Sequence, residues 1–467
     1  MLFLSFSLSS IPYEFNTSDL EASLTFLEKH CFANQGLSWP TVRYMICQVQ
    51  YGGRITDDFD RILFDTFGKE WLGPDIFKEE FQFIRTGGSK VFKYVIPACE
   101  TIEAYRNHIA DLPSHDSPEL FGLHVNADLT YGTNEALYIL NTISETQPKE
   151  SGVVKGGKTR EETVYDKADE LLALMPRAYK DDEVRESIKK RSRLENEFVL
   201  GYKPEEKVDG FSIPLNIFLY QEITRLNRTI NNVKSTLNDL KSAINGEIIM
   251  TPELQAALND VFNEKPPRHW HTDASGQGIA WFLPSLALWF AGLLDREKQL
   301  TQWLNNTRPV TYWMTGFFNA QGFLTATRQE VTRRHKHEKW ALDDVVLVST
   351  ITEHLDLRRL KMPPSEGVYI HGLYLEGCSW DKKDGKLVES HPKELYTPMP
   401  VILVTAVTSK QAEKQYAVKD DVRYFDCPVY RQPKRTDLAY IFTVKLKTFV
   451  DPDHWILRGV ALLCSKD

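Results

Sequence analysis

Gly152-Val153-Val154-Lys155-Gly156-Gly157-Lys158-Thr159 has the spacing of a phosphate-binding P-loop. In a working loop of this kind, backbone amides and the lysine hold phosphates while the threonine hydroxyl binds Mg²⁺. An apolar strand must lead into it and a helix must leave it. Here the approach, residues 146–151, is polar and contains Pro148, and the apolar run 136–143 before it is as helical as it is stranded. Glu161 and Glu162 open the following helix, where they would repel a nucleotide. Asp343-Asp344 precedes its apolar run instead of ending it, so it does not supply the usual metal-binding strand end. Gly152, Gly157, Lys158 and Thr159 are therefore read as a decoy in a glycine-lysine loop, with a stand-alone nucleotidase using Lys158 and Thr159 as the rival.

Other reactive residue types are less organised. His269/His271 and His335/His337 are two apart, but no third ligand stands at a metal-binding spacing. No G-x-S-x-G elbow occurs, and no cysteine–histidine pair is singled out. Asp57, Asp58 and Asp60, beside Gly52-Gly53 and Arg54, read as a turn, a helix cap and a local ion pair. The basic run Arg333-Arg334-His335-Lys336-His337-Glu338-Lys339 is a solvated face or, on a sharper reading, a docking surface for an acidic partner. No catalytic, cofactor-binding or metal-binding residue is expected.

The 467 residues exceed one compact core and suit about three domains. With 42% hydrophobic and 26% charged residues the chain is globular, and a net charge of −8 disfavours general nucleic-acid binding. The six cysteines form no C-x-x-C pair and are expected to be reduced thiols. The richest apolar stretch, 281–294, is broken by Pro284 and too short to span a membrane.

The first two-thirds reads as helical. Ser18 and Glu21 form an expected capping box for a helix reaching His30, and 39–51 reads as a helix stopped by Gly52-Gly53. Leu219, Ile223, Leu226, Ile230, Val233, Leu237, Leu240 and Ile244 mark one long helix, read as a seam packed against its own protein rather than a coiled coil. Helices are also expected from Thr251-Pro252 and over 284–305, and polar, glycine-rich loops at 85–90 and 151–158. After Trp340 the period changes. Strands are expected at 344–350, 367–375, 401–407, 423–430, 438–448 and 455–463, with Leu438, Tyr440, Phe442, Val444 and Leu446 on one face. The class is α+β, mainly helical and then an antiparallel β-barrel or sandwich.

Several ordered phrases resemble the C-terminal end of dynein heavy chains. They are Tyr51-Gly-Gly-Arg-Ile-Thr-Asp-Asp-Phe-Asp-Arg61, Phe121-Gly-Leu-His-Val-Asn-Ala-Asp128, Trp313-Met-Thr-Gly-Phe-Phe-Asn-Ala-Gln-Gly-Phe-Leu324, residues 367–381, Cys427-Pro-Val-Tyr430 and residues 454–464. The Met-Thr-Gly-Phe-Phe-Asn phrase and the Arg458-Gly-Val-Ala-Leu-Leu-Cys464 ending look most like axonemal outer-arm chains of the gamma type. The resemblance implies a non-matching leader over 1–10, the AAA+ lid of the sixth ring module over 11–90, a helical part of the C-terminal domain over 91–342 and its terminal β-barrel over 343–467. It also implies a non-catalytic segment that braces and modulates the ring of a minus-end-directed microtubule motor of the ciliary axoneme and cytoskeleton. ATP and Mg²⁺ would be bound by the full-length motor and not by this segment. Implied partners are the other AAA+ modules and, through the whole motor, intermediate and light chains and microtubules; nucleic acid and membrane are not. A lid without its large subdomain should expose an apolar patch near the N-terminus. A third reading is an independent scaffold binding through 333–339. Residues 83–94 and 193–212 are expected to form longer connections than the family's, and Ala320 stands where proline is common.

Overall fold

The computed structural model describes residues 11–466 apart from 12, 34–35, 85–93, 147–157, 199–209, 273–277, 279–280, 356, 418–421 and 437. The loop expected at 85–90 and nearly all of that at 151–158 lie outside the described residues, as do the leader 1–10 and Gly152 and Gly157. Among the described residues eleven helices precede the main strands: α1 (Thr17–Ala33), α2 (Trp39–Arg43), α3 (Asp58–Trp71), α4 (Ile102–Ala110), α5 (Ala127–Thr146), α6 (Arg160–Leu174), α7 (Asp181–Phe198), α8 (Pro214–Ile244), α9 (Pro252–Phe262), α10 (Leu286–Asn305) and α11 (Ala320–Arg334). Two short ones, α12 (Ser409–Gln415) and α13 (Pro452–Leu457), fall among the strands. The strands are β1 (Thr311–Trp313), β2 (Val345–Ile351), β3 (Val368–His371), β4 (Tyr374–Glu376), β5 (Ser379–Asp381), β6 (Lys386–Val388), β7 (Tyr396–Pro398), β8 (Ile402–Thr408), β9 (Arg423–Tyr430), β10 (Tyr440–Thr448) and β11 (Ala461–Leu463). The fold is α+β, helical first and sheet-rich later. Among the described residues no helix is long and apolar enough to cross a membrane.

The chain packs as two compact units. The first takes Met1–Glu145, Leu373–Met399 and Tyr416–Lys466; the second takes Thr146–Gly372 and Pro400–Gln415. Within the first, α1 is capped two residues before the expected box, because Asn16 and Asp19 cap each other reciprocally at 2.9 and 3.2 Å. After α2 the backbone widens into a π-helical segment, Tyr44–Gln50. It carries Cys47 into a core of Val42, Ile46, Phe26, Leu27 and Phe64. Gly52 is required there: a Cβ would stand 1.7 Å from the Cys47 carbonyl oxygen. Gly68 makes room from the other side, where a Cβ would lie 2.4 Å from Cys47 Sγ. Asp57 caps α3, as expected, while Arg54 pairs with Asp19 at 2.9 Å and not with its neighbouring aspartates. Leu20, Leu24 and Phe32 are exposed along α1.

The second unit is built around α8, whose Leu219, Ile223, Leu226, Ile230, Val233, Leu237 and Leu240 are fully buried. Helices α6, α7, α9, α10 and α11 surround it. The heptad seam is thus filled by the protein's own helices. An aromatic cluster caps one end: Phe317 lies 5.1 Å from Phe218 and 4.6 Å from Phe323, and Trp303 lies 5.0 Å from Tyr312.

The expected barrel takes the form of two open sheets and a ribbon. One sheet has the order β1-β3-β8-β2, the other β10-β9-β11-β4-β7, and β5 pairs with β6. The pairs β1–β3 and β11–β9 are parallel. The reason lies at Gly372. Its φ of +84° interrupts the expected strand 367–375, and a Cβ would stand 2.5 Å from the Trp313 ring. The two halves, β3 and β4, enter different sheets. The strand expected at 455–463 is cut to its last three residues, β11, because Asp451 caps and Pro452 starts α13, which runs to Leu457 and ends in a turn. β10 starts only at Tyr440, so Leu438 lies in the exposed turn before it; a bulge between Tyr440 and Phe442 leaves Ile441 buried beside Phe442, and Val444 and Leu446 are buried beyond it. Ala320 is the first residue of α11 behind the Asn319 cap, a position that proline also suits.

Replacing Gly52 by Ala should lower stability by about 1–3 kcal/mol through overpacking. Gly53→Ala, where a Cβ meets nothing within 4 Å, should be close to neutral. Urea unfolding of both variants checks the contrast.

Candidate functional site

Lys158 and Thr159 are the described part of the glycine-lysine segment, and both are committed to the start of α6. The Thr159 hydroxyl accepts the Glu162 amide at 3.2 Å, and the Glu162 carboxylate accepts the Thr159 amide at 2.8 Å. This box places a carboxylate on the helix N-terminus, where a phosphate would otherwise bind. Lys158 pairs with Asp166 at 2.5 Å. The adjoining depression, about 240 Å³, is edged by Asp166, Glu170 and Glu264 as well as Lys158 and Lys167.

The remaining candidates are spent on structure. Thr236 Oγ1 lies 2.7 Å from His269 Nε2, and His271 Nδ1 donates to the Trp281 carbonyl at 2.8 Å. Burial lowers both imidazole pKa values and keeps the rings neutral. No cluster of three metal-ligating side chains occurs among the described residues. Burial pushes the Cys47 and Cys464 thiols up to about 12 and raises Cys378 and Cys427 as well, so these four are inert. In the basic run, Arg333 donates to the Ser212 carbonyl, Arg334 to the Ser365 carbonyl at 2.8 Å and to Glu330, and His335 lies between two glutamates. Lys336, His337 and Lys339 remain exposed.

What the recognisable phrases do is join distant segments. In the second unit the turn before α11 is held by Glu222 of α8, which is fully buried. Its carboxylate accepts the Phe318 amide at 2.6 Å and the Asn319 amide at 3.1 Å, and Arg225 approaches it at 3.1 Å. Burial pushes the Glu222 carboxyl up to about 7, against the pull of the two amides and Arg225. Arg296 supports the same turn, donating to the Thr315 carbonyl at 2.8 Å while lying 3.9 Å from the Trp281 ring. Gln299 brackets Trp313, accepting its amide at 2.7 Å and donating to its carbonyl at 3.2 Å.

The first unit has a corresponding joint. Arg458 donates to the Gly122 and Leu123 carbonyls at 2.7 and 2.8 Å and to Glu389 at 3.2 Å. Asn126 donates to the His391 and Glu394 carbonyls at 2.9 and 3.0 Å and accepts the Lys393 amide at 2.8 Å. Sequence reasoning missed Glu222, although it stands three residues after Leu219 and four before Leu226, on the apolar seam itself.

These joints, on a helical bundle with two open sheets and without an assembled reactive cluster among the described residues, define a segment built to hold distant parts of its sequence together. Comparison with known sequences says which. The C-terminal domain of the dynein heavy chain, as a family, matches residues 133–464, and the AAA lid domain of the dynein heavy chain matches residues 9–127. The protein belongs to the dynein heavy chain family. It is 44% identical over 459 residues to dynein axonemal heavy chain 8 of Homo sapiens, and equally so to dynein axonemal heavy chain 5 of Mus musculus. It is 39% identical over 466 residues to the dynein gamma chain of the flagellar outer arm of Chlamydomonas reinhardtii. Each match takes in 98% of the present sequence, which spans only 9–10% of these relatives.

Two measurements test the joints. Asn126→Ala removes three hydrogen bonds and should cost about 2 kcal/mol, whereas Asn134→Ala on exposed α5 should cost little; urea titration compares them. Because the folded-state pKa of Glu222 is raised, its contribution is complete below its ordinary 4.5 and is lost as pH rises through about 7. Relative to Glu222→Gln, the unsubstituted protein should therefore lose up to about 3 kcal/mol between about pH 4.5 and pH 8.

Proposed function

We propose that this protein is a non-catalytic segment of an axonemal dynein heavy chain that braces the AAA+ ring and modulates its stepping, with no nucleotide site of its own. In sequence order, residues 11–90 act as the lid of the sixth ring module, 91–342 as the helical part of the C-terminal domain, and 343–467 as its β-rich part. Its immediate partners are the other AAA+ modules of the same heavy chain. Through the whole motor it is tied to intermediate and light chains and to microtubules in the ciliary axoneme, without contact to nucleic acid or membrane. ATP and Mg²⁺ act in the full-length motor, outside this segment.

The observation that carries the reading is the capping box of Thr159 and Glu162. The hydroxyl that would hold Mg²⁺ closes a helix end, and a carboxylate occupies the place of the phosphate. A brace needs stiffness, and the buried joints at Glu222 and Arg458 supply it by fixing backbone 96 and 336 residues away in the sequence.

The test uses the complete heavy chain. Lys158→Ala should leave ATP turnover and microtubule gliding unchanged, while Arg458→Met should slow gliding or make it irregular with basal turnover retained. Loss of turnover in Lys158→Ala would overturn the reading, as would normal gliding in a heavy chain from which the segment has been removed.

A further inference from the structure

The basic run after α11 has a built centre. His335 ends α11, and each of its ring nitrogens faces a carboxylate: Nδ1 lies 3.0 Å from Glu338 Oε1 and Nε2 lies 2.8 Å from Glu366 Oε1. An ionised carboxylate only accepts hydrogen bonds, and only an imidazolium carries N–H on both nitrogens. Both contacts can be hydrogen bonds together only in the protonated form. The ring also stacks on Trp340, with centroids 4.0 Å apart and planes 11° from parallel. That indole packs on the Val331, Val345 and Ala406 core. The end of a helix favours the cation further.

We propose that protonated His335 is a latch that fastens the loop entering β3 to the end of α11, and that this latch opens when the imidazole loses its proton. Glu366 belongs to that loop and Glu338 to the turn after α11. From α11 itself, the neighbouring Arg334 is turned to Glu330 and the Ser365 carbonyl, and Lys336 and Lys339 point to solvent at the flanks. Partial burial works against the charge, but the hydrogen bonds to Glu338 and Glu366 outweigh it and hold the imidazole above its ordinary 6.5. The sign follows: the latch is closed below that ordinary value and opens as pH rises through the higher folded-state value. What it controls is local. Gly367, next to Glu366, has a φ of +79°, and a Cβ there would stand 2.2 Å from the Val404 carbonyl oxygen. The loop thus delivers β3 to β8 through a close backbone approach that the latch keeps in place.

An imidazolium stacked on an indole quenches its emission, so Trp340 reports the latch directly. Emission of the unsubstituted protein minus that of Trp340→Phe should be low near pH 6 and rise towards about pH 9, with its midpoint above 6.5. His335→Gln should abolish the rise, and Glu366→Gln should move the midpoint down. If His335→Gln does not fold, the titration of the unsubstituted protein and of Glu366→Gln still decides the matter. A flat difference emission, or a midpoint unmoved in Glu366→Gln, would overturn the proposal.

Discussion

A carboxylate with no access to water receives two consecutive backbone amides, Phe318 and Asn319, and the second unit depends on it. Leaving those amides unpaired in the core would cost about 1–3 kcal/mol apiece. Glu222 removes that cost and fixes where the backbone turns from β1 into α11. The turn sets Phe317 against Phe218 and Phe323, and α11 then lies against α8 on one side and β2 and β8 on the other. Helix bundle and sheet therefore share one polar joint. Arg458 and Asn126 solve the same problem in the first unit with carbonyls in place of amides.

The polar residues that resemble catalytic equipment have structural employment. Thr159 and Glu162 close a helix end, His269 and His271 are neutral hydrogen-bonding groups, and Asp57 is a cap. Burial raises the thiols of Cys378 and Cys427 and removes them as nucleophiles. The proposed role, transmitting position instead of performing chemistry, suits a piece covering a tenth or less of its relatives' length.

Local rules made part of this legible from residues alone. The α8 seam, the Thr251-Pro252 start of α9, the run of α10 and the bounds of β9 depend on nearby residues, and all were readable. Long-range pairing was not. The three-residue strands β1, β5, β6 and β7 have no period of their own and exist because a partner strand binds them. The division of 367–375 into two strands depends on how closely Gly372 approaches Trp313, a contact between residues far apart in sequence. Of the joints, Arg458 and Asn126 lay inside recognisable phrases without any sign of what they bind. Glu222 did carry a signal, a charge on an otherwise apolar helical seam.

On the proposed reading the protein handles no nucleotide. The most direct test is equilibrium binding of a fluorescent ATP analogue with Mg²⁺ to the purified protein. No saturable binding is expected, and Lys158→Ala should give the same trace. Saturable binding that is lost in Lys158→Ala would contradict that reading.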